Sequence, residues 1–343
     1  MGTNSSINQM NNKFYSGELF DLSNYHLERA ALDETWDRVV LSSPQESVFA
    51  TSAYLLAAGG RPSLWYCFKK HELKAAILIH ESVDGTKTIL EDLVIYAGIM
   101  FAKIDPNQNQ AQIMSEEFRI TSAVVAGLTK IYKGIEIQTH PDFTDIRPFQ
   151  WHNYDCDGPK FKVDVRYTSI LNLVSSQGLD SNPMYKAANT SRRQEIRYGI
   201  KAGMIVEEEY DLNLFRELTV DTFRRQGMDV PEEELNRKQA ILASLHVNNK
   251  VSIFVARTAD GVPTSIAAMA LDSRRAYYLF GANNTSLCDS FGGTMVIWYA
   301  MNALAKSGIT ELDMEGVNSP MRGYFKLSFG GTLRPYYHLT YFG

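Results

Sequence analysis

Between Glu311 and His338 the chain reads ELDMEGVNSPMRGYFKLSFGGTLRPYYH, and this stretch gathers two carboxylates, Asp313 and Glu315, an amide, Asn318, a phenol, Tyr324, and an ammonium, Lys326. A carboxylate can take a proton, a phenol can donate a hydrogen bond, and a lysine can stabilise developing negative charge. That set suits proton transfer coupled to charge stabilisation. It does not suit a covalent acyl-enzyme, because the seven histidines have no Gly-x-Ser-x-Gly turn to serve. His71-Glu72 lacks the second histidine of a zinc-protease helix, so no metal site is expected there.

The local pattern says how these groups are positioned. After Gly308, the residues Ile309, Leu312 and Met314 alternate with polar ones, which predicts a short strand ending at Asp313 to Glu315. Asn318, Ser319 and Pro320 read as turn and helix start, Gly323 to Lys326 as a helical turn, and Gly330-Gly331 as its stop. Lys326 then stands among aromatics, and on these residues alone it reads first as a surface lysine beside buried Phe325 and Phe329. Leu333 to Tyr341 alternates as a closing strand, with Pro335 making it an edge or bent one.

Two further clusters bear on binding. In a helix predicted over Tyr185 to Tyr198, Arg193 and Arg197 lie four apart and share a face, which suits phosphate or carboxylate recognition. The alternative is a solvated face, or pairing with Glu195 and the Glu207-Glu208-Glu209 run. Gly292-Gly293-Thr294 opens a helix that runs to Lys306, where backbone N–H groups and the positive helix end can approach a pyrophosphate. Asp289 just upstream puts a negative charge where a phosphate wants none, and a glycine pair before a helix is also ordinary turn chemistry.

These residues carry a resemblance. Asp313 to Gly331, with its acidic strand end, Asn-containing loop, Phe-Lys and Phe-Gly-Gly, resembles the C-terminal signature of the Fem-type (FemAB-like) aminoacyltransferases, tandem enzymes of the GCN5-related N-acyltransferase (GNAT) fold with a BioF2-like acetyltransferase domain. Tyr185 to Gly203 resembles that family's basic helix before a Lys-Ala-Gly turn. Asp145-Ile146-Arg147-Pro148 before Trp151 and Tyr154 resembles its Asp-x-Arg-Pro segment, which reads structurally as an Arg147 ion pair beside buried aromatics. The resemblance implies transfer of an acyl or aminoacyl group onto an amine, with Lys326 stabilising the transition state and Asp313 or Glu315 taking the amine proton or holding the amine. Tyr324 donates a hydrogen bond in this reading. Arg193, Arg197, Tyr198, Glu315 and Asn318 bind substrate, and Gly292, Gly293 and Thr294 bind the donor. No tightly bound cofactor is implied. Acyl-CoA or aminoacyl-tRNA is the co-substrate, and the acceptor is a small-molecule or glycan-precursor amine, such as an amino sugar or cell-envelope precursor. Two rivals stand beside this reading: an acyl-CoA-dependent GNAT N-acetyltransferase, and a non-catalytic GNAT-like binding module.

The rest of the chain sets the frame. Its 343 residues favour two domains, and 45% hydrophobic residues are enough for packed cores. A net charge of -5 lowers the expectation of nucleic-acid binding, leaving tRNA as the one nucleic-acid partner and no DNA. Cys67, Cys156 and Cys288 form no CxxC pair, which fits reduced thiols. No apolar run is long enough to span a bilayer, and Met1 to Lys13 lacks a signal-peptide core, so a cytoplasmic protein is expected. Met1-Gly2-Thr3-Asn4-Ser5-Ser6 fits a myristoylation pattern, but residues 1–13 read more simply as a disordered leader.

The order of elements repeats. A helix from Leu22 through Val39, a second at Ser52 to Ala58, strands at Leu64 to Lys69, Leu73 to Glu81, Thr88 to Ile95 and Gly98 to Phe101, a helix from Ser115 to Tyr132 and a strand at Ile135 to Gln138 fill the first half. A strand over Phe161 to Leu173, helices from Asp211 and Pro231, and a meander over Val251 to Gly281 follow in similar order. The expected fold is α/β: two tandem GNAT-like domains at 14–160 and 161–343 with mixed, mostly antiparallel sheets, the second carrying the site.

Overall fold

The computed structural model describes residues 21–343 apart from 104, 177, 226, 285 and 287–290. The leader expected at 1–13 and the charge of Asp289 lie outside the described residues. The described chain divides into two compact units. The first takes the chain up to Ser52, then Gly60–Val165 and Tyr336–Gly343, and the second takes Ala53–Gly59 with Arg166–Pro335.

In the first unit the elements are β1 (Tyr25–Arg29), α1 (Glu34–Ser42), α2 (Ser52–Ala58, most of which belongs to the second unit), β2 (Pro62–Lys69), β3 (Glu72–Glu81), β4 (Thr88–Ile89), β5 (Gly98–Phe101), α3 (Gln110–Ile131), β6 (Gly134–Gln138) and α4 (Arg147–Gln150). The helix expected from Leu22 starts only at Glu34. Tyr25 to Arg29 instead pairs antiparallel with β2, Tyr25 opposite Lys69 and Arg29 opposite Trp65. Asp33, inside the expected helix, is instead the N-cap, its carboxylate accepting from the N–H groups of Thr35 and Trp36. The strand expected at Thr88 to Ile95 shrinks to Thr88–Ile89. Asn109 and Gln112 form a capping box that starts α3 at Gln110, ahead of the expected start at Ser115. Strands β1 to β5 make one sheet in the order β1-β2-β3-β4, with β5 also on β3. Trp65, Ile77 and Ile79 of that sheet meet Ile120, Val124 and Leu128 of α3 in a buried cluster, each large apolar side chain contributing roughly 1.5–3 kcal/mol. Cys67 lies inside this cluster, and burial pushes its thiol up to about 12, which keeps it protonated and unreactive.

In the second unit the elements are β7 (Lys162–Asn172, in this unit from Arg166), α5 (Pro183–Ala187), α6 (Thr190–Lys201), β8 (Ile205–Glu208), α7 (Leu212–Arg225), α8 (Glu232–Val247), β9 (Val251–Arg257), β10 (Pro263–Leu271), β11 (Arg275–Asn283), α9 (Gly292–Lys306), β12 (Glu311–Asp313), α10 (Pro320–Leu327) and the start of β13 (Thr332–Phe342). The single helix expected over Tyr185 to Tyr198 is two. Ala188 is extended, and the Asn189 side chain accepts the Arg192 N–H at 2.9 Å to begin the second. Strand β8 carries Glu207 and Glu208 of the acidic run; it pairs with β9, and three of its four residues are exposed, so its sequence has no apolar face to betray it. The strand order is β7-β12-β11-β10-β9-β8. Leu171, Leu312, Met314, Ala276, Phe254 and Met269 of the sheet pack against Ile196 of α6 and Val296, Ile297, Ala300 and Leu304 of α9. The first sheet is antiparallel in each of its pairings and the second is mixed, with β11 and β12 parallel, so the architecture is α/β with mostly antiparallel sheets.

Candidate active site

The site grows from a place where the second unit's sheet must part. Strands β11 and β12 run parallel for three residues, Arg275 beside Glu311, Ala276 beside Leu312 and Tyr277 beside Asp313. Beyond that point β11 stays with β10 as far as Asn283 opposite Ser265. The chain after Asp313 stays with β7 instead, Met314 N–H donating to the Ser169 carbonyl at 2.9 Å and Val317 N–H to the Tyr167 carbonyl at 3.0 Å. Two parallel strands thus diverge past their paired ends, the position at which open α/β sheets accept ligands. A register shift opposite Ala268 and Met269 leaves Leu279 as an extra residue on β11 and re-aims the side chains around it.

Four side chains meet at the parting. Asp313 is fully buried, and its Oδ1 accepts from the Glu315 N–H at 2.7 Å and from the Thr168 hydroxyl. The first bond closes a tight turn that holds Glu315 at φ +55, a left-handed conformation that a non-glycine residue adopts at a cost of roughly 1–2 kcal/mol. Glu315 is only 6% exposed, and its Oε1 makes no hydrogen bond among the described residues. Helix α10 delivers Lys326, whose Nζ lies 5.6 Å from the centroid of the Tyr278 ring and 3.5 Å from the Gly316 carbonyl. Gly323 lets α10 come close, because a Cβ there would stand 2.5 Å from the Val317 carbonyl oxygen.

The electrostatics follow from burial with opposite charges at short range. Burial pulls the Lys326 ammonium below its ordinary range and Arg322 adds to that, while Glu315 and Asp313 pull it back up. Burial lifts Glu315 well above the carboxylate range; Lys326 opposes this and Asp313 reinforces it. Burial, with the nearby Glu315, pushes the Tyr278 phenol up to about 12, so it stays a neutral hydrogen-bond donor. Lys326 and Glu315 together hold a cation and a proton acceptor at one spot.

The other expected residues are placed differently. Tyr324 is 67% exposed; two residues before Lys326, about 200° around the helix, it points away from the ammonium. Asn318 spends its amide on the Tyr167 backbone, accepting its N–H at 2.8 Å and donating to its carbonyl at 3.1 Å, which pins the loop to β7. On α6, Arg193 is half-exposed and donates to the Lys186 carbonyl at 3.3 Å, Arg197 is exposed, and Tyr198 rests against Phe291 at 5.7 Å between ring centroids. Gly292 brings the start of α9 against β10, since a Cβ there would meet the Thr264 hydroxyl at 2.2 Å. At Gly293 a Cβ would lie 3.1 Å from Asn283 Oδ1.

Thr294 is buried and hydrogen-bonds Arg192, a residue the sequence reading passed over. Arg192 is 5% exposed, bonds Glu195 and Ser328, and stacks on Phe325 and Phe329 at 4.6 and 4.9 Å. It thereby joins α6, α9 and the two rings that flank Lys326 in sequence. A signal was present: 192, 196 and 199 fall on one helical face with Ile196 and Gly199, the buried side. Tyr278, mid-strand and apolar in context, carried none.

Residues 186–326 match the family model described as an acetyltransferase (GNAT) domain, a span that includes Asp313, Glu315 and Lys326. Among solved structures the chain is similar to FemX, with a TM-score of 0.62 at 14% identity over 91% of this chain and 96% of that one. It is similar to L-PGS from Bacillus licheniformis, with a TM-score of 0.54 at 13% identity over 90% and 91%. A tandem GNAT protein from the clavulanic acid biosynthesis pathway gives a TM-score of 0.52 at 8% identity over 92% and 98%. No curated protein matches the sequence. No helix of the described residues is long and apolar enough to cross a membrane. Residues 186–326 thus match an acetyltransferase (GNAT) domain model, and the chain shares the fold of FemX and of the tandem GNAT protein.

Proposed function

We propose that the protein transfers an acyl or aminoacyl group onto a primary amine, at the parting of β11 and β12. The observation that carries this is Lys326, half-buried beside Glu315 and Asp313 inside the span that matches the GNAT domain. A protonated Lys326 faces the oxygen on which charge gathers when an amine adds to a carbonyl, and does so away from bulk water, where such stabilisation is strongest. Tyr278, whose ring centroid lies 5.6 Å from the Lys326 ammonium, supplies a second donor. Acyl-CoA is the co-substrate that the matched domain family implies. An aminoacyl-tRNA donor is the finer alternative, favoured by the likeness to FemX. In either case Gly292, Gly293 and the α9 N-terminus are where we place the donor's phosphates, with Thr294 behind them. Arg197 and Tyr198, both exposed on α6, and Arg193 beside them are where we place an anionic acceptor, such as an amino sugar phosphate or cell-envelope precursor.

The test is amide formation by the purified chain on a panel of amines, detected by mass, with acetyl-CoA and with lysyl-tRNA supplied separately. Product with acetyl-CoA alone assigns a CoA donor, product with lysyl-tRNA alone an aminoacyl donor, and no amide with either removes the reading.

A further inference from the structure

Helix α10 carries Lys326 on one side and an apolar patch on the other. Met321, Tyr324 and Leu327 follow one another at three-residue steps, so they are neighbours along the helix, and all three face solvent. Met321 is 86% exposed and Tyr324 67%, so neither serves the core. The charge around them is one-sided. From Asn182 to Gly203 and from Gly316 to Pro335 the sequence holds eight lysines and arginines against one carboxylate, Glu195, in a chain whose net charge is -5. Glu195 is spent on Arg192 and Thr294. The two segments are packed together. The Asn189 N–H donates to the Ser328 carbonyl at 2.9 Å, Arg192 donates to the Ser328 hydroxyl at 2.9 Å, and a Cβ on Gly330 would stand 2.3 Å from the Ala187 carbonyl oxygen. Arg322 on α10 and Lys186, next to Ala187, are both exposed.

Exposed apolar side chains set among cations and cleared of acids narrow the choice of occupant. Protein interfaces deplete lysine at their apolar centres. Single-stranded RNA asks for rings on which bases stack, and Tyr324 stands between Met321 and Leu327, neither of which can stack. An anionic lipid surface suits the whole set: methionine and leucine enter the acyl boundary, a tyrosine sits at headgroup level, and arginine and lysine meet phosphates. We propose that this face of α10 docks the chain on an anionic lipid bilayer, with Met321, Tyr324 and Leu327 entering the interface and Arg322 and Lys186 on headgroup phosphates. A helix is about 10 Å across, so docking brings Lys326, on the other side of α10, to about that distance from the lipid. The inference stands on the surface alone and does not depend on the acyl-transfer reading.

The experiment is cosedimentation of the full chain with vesicles of one third phosphatidylglycerol and two thirds phosphatidylcholine, and with vesicles of phosphatidylcholine alone. Wild type binds the first and not the second. Met321→Asp weakens binding by about tenfold or more, and Arg322→Ala and Lys186→Ala weaken it by about fivefold each. Val247→Asp, at an apolar side chain of α8 that is 80% exposed, leaves binding within twofold of wild type. All four positions are exposed, so the urea midpoints stay at that of wild type. No binding to the anionic vesicles, wild-type binding by Met321→Asp, or an equal loss in Val247→Asp overturns the proposal. Binding of poly(U) RNA without binding of vesicles, weakened by Met321→Asp and Arg322→Ala, makes the face a nucleic-acid surface. A dimer in sedimentation velocity that Met321→Asp dissolves, without vesicle binding, makes it a contact between copies of the chain. Either result also overturns the lipid assignment.

Discussion

Substituting Gly323 with alanine tests whether the spacing between α10 and the loop before it sets the site. The new Cβ would stand 2.5 Å from the Val317 carbonyl oxygen, where ordinary contact begins at 3.4 Å, so about 0.9 Å must be found. Val317 cannot readily give way, because its N–H is bonded to the Tyr167 carbonyl at 3.0 Å and Asn318 next to it is clamped on the same residue. Helix α10 must therefore move, and Lys326 moves with it, away from Glu315. Alanine is better than glycine in a helix by about 1 kcal/mol, and overpacking costs about 1–3 kcal/mol, so the net loss of stability is on the order of 1 kcal/mol. Misplacing a catalytic group by about 1 Å costs about 100-fold in rate. Gly323→Ala is thus expected to fold, with a urea midpoint slightly below wild type, and to lose about 100-fold in kcat. Full turnover in a folded variant would refute the reasoning, as would a loss of stability large enough to explain the loss of rate.

Arg192→Ala should destabilise the second unit by about 3 kcal/mol, since it strips a buried charge network of its centre. Arg192→Lys should recover little of this, because an ammonium cannot stack flat between Phe325 and Phe329; chemical denaturation of the three proteins decides. The raised pKa of Glu315 means that the folded chain keeps a proton the unfolded chain releases, so its contribution is full below the ordinary value of 4.5 and is lost as pH rises through the folded pKa. The stability of wild type relative to Glu315→Gln should therefore fall with rising pH across that window; a difference independent of pH would refute the assignment.

How far the sequence could be read depends on where the physics is local. The alternation of Ile309, Leu312 and Met314 found the strand of the site, and Pro320 with Gly330 bracketed its helix, because strand period and helix-stop chemistry are written within a few residues. The carboxylates and Lys326 lie on those elements and were found with them. Tyr278 joins them through a parallel pairing between β11 and β12, whose partners, such as Arg275 and Glu311, lie 36 positions apart in the chain, and no local pattern encodes that. Asn318 was chosen as a polar group that can bind substrate, yet its amide is spent on the backbone of Tyr167. Tyr25 to Arg29 was expected as helix because its apolar residues also fit a helical face; only the partner strand β2 decides for extension. Arg192 was overlooked in favour of its neighbours because a buried arginine runs against the usual rule for charges, and only its ring and hydroxyl partners make it tolerable.

The central claim, that Lys326 acts where β11 and β12 part, is tested most directly by the rate of amide formation in Lys326→Ala against wild type, with product mass as readout and acetyl-CoA or lysyl-tRNA as donor. The rate should fall by about 100-fold or more while the urea midpoint stays within experimental error of wild type. An undiminished rate in the folded variant would contradict the account.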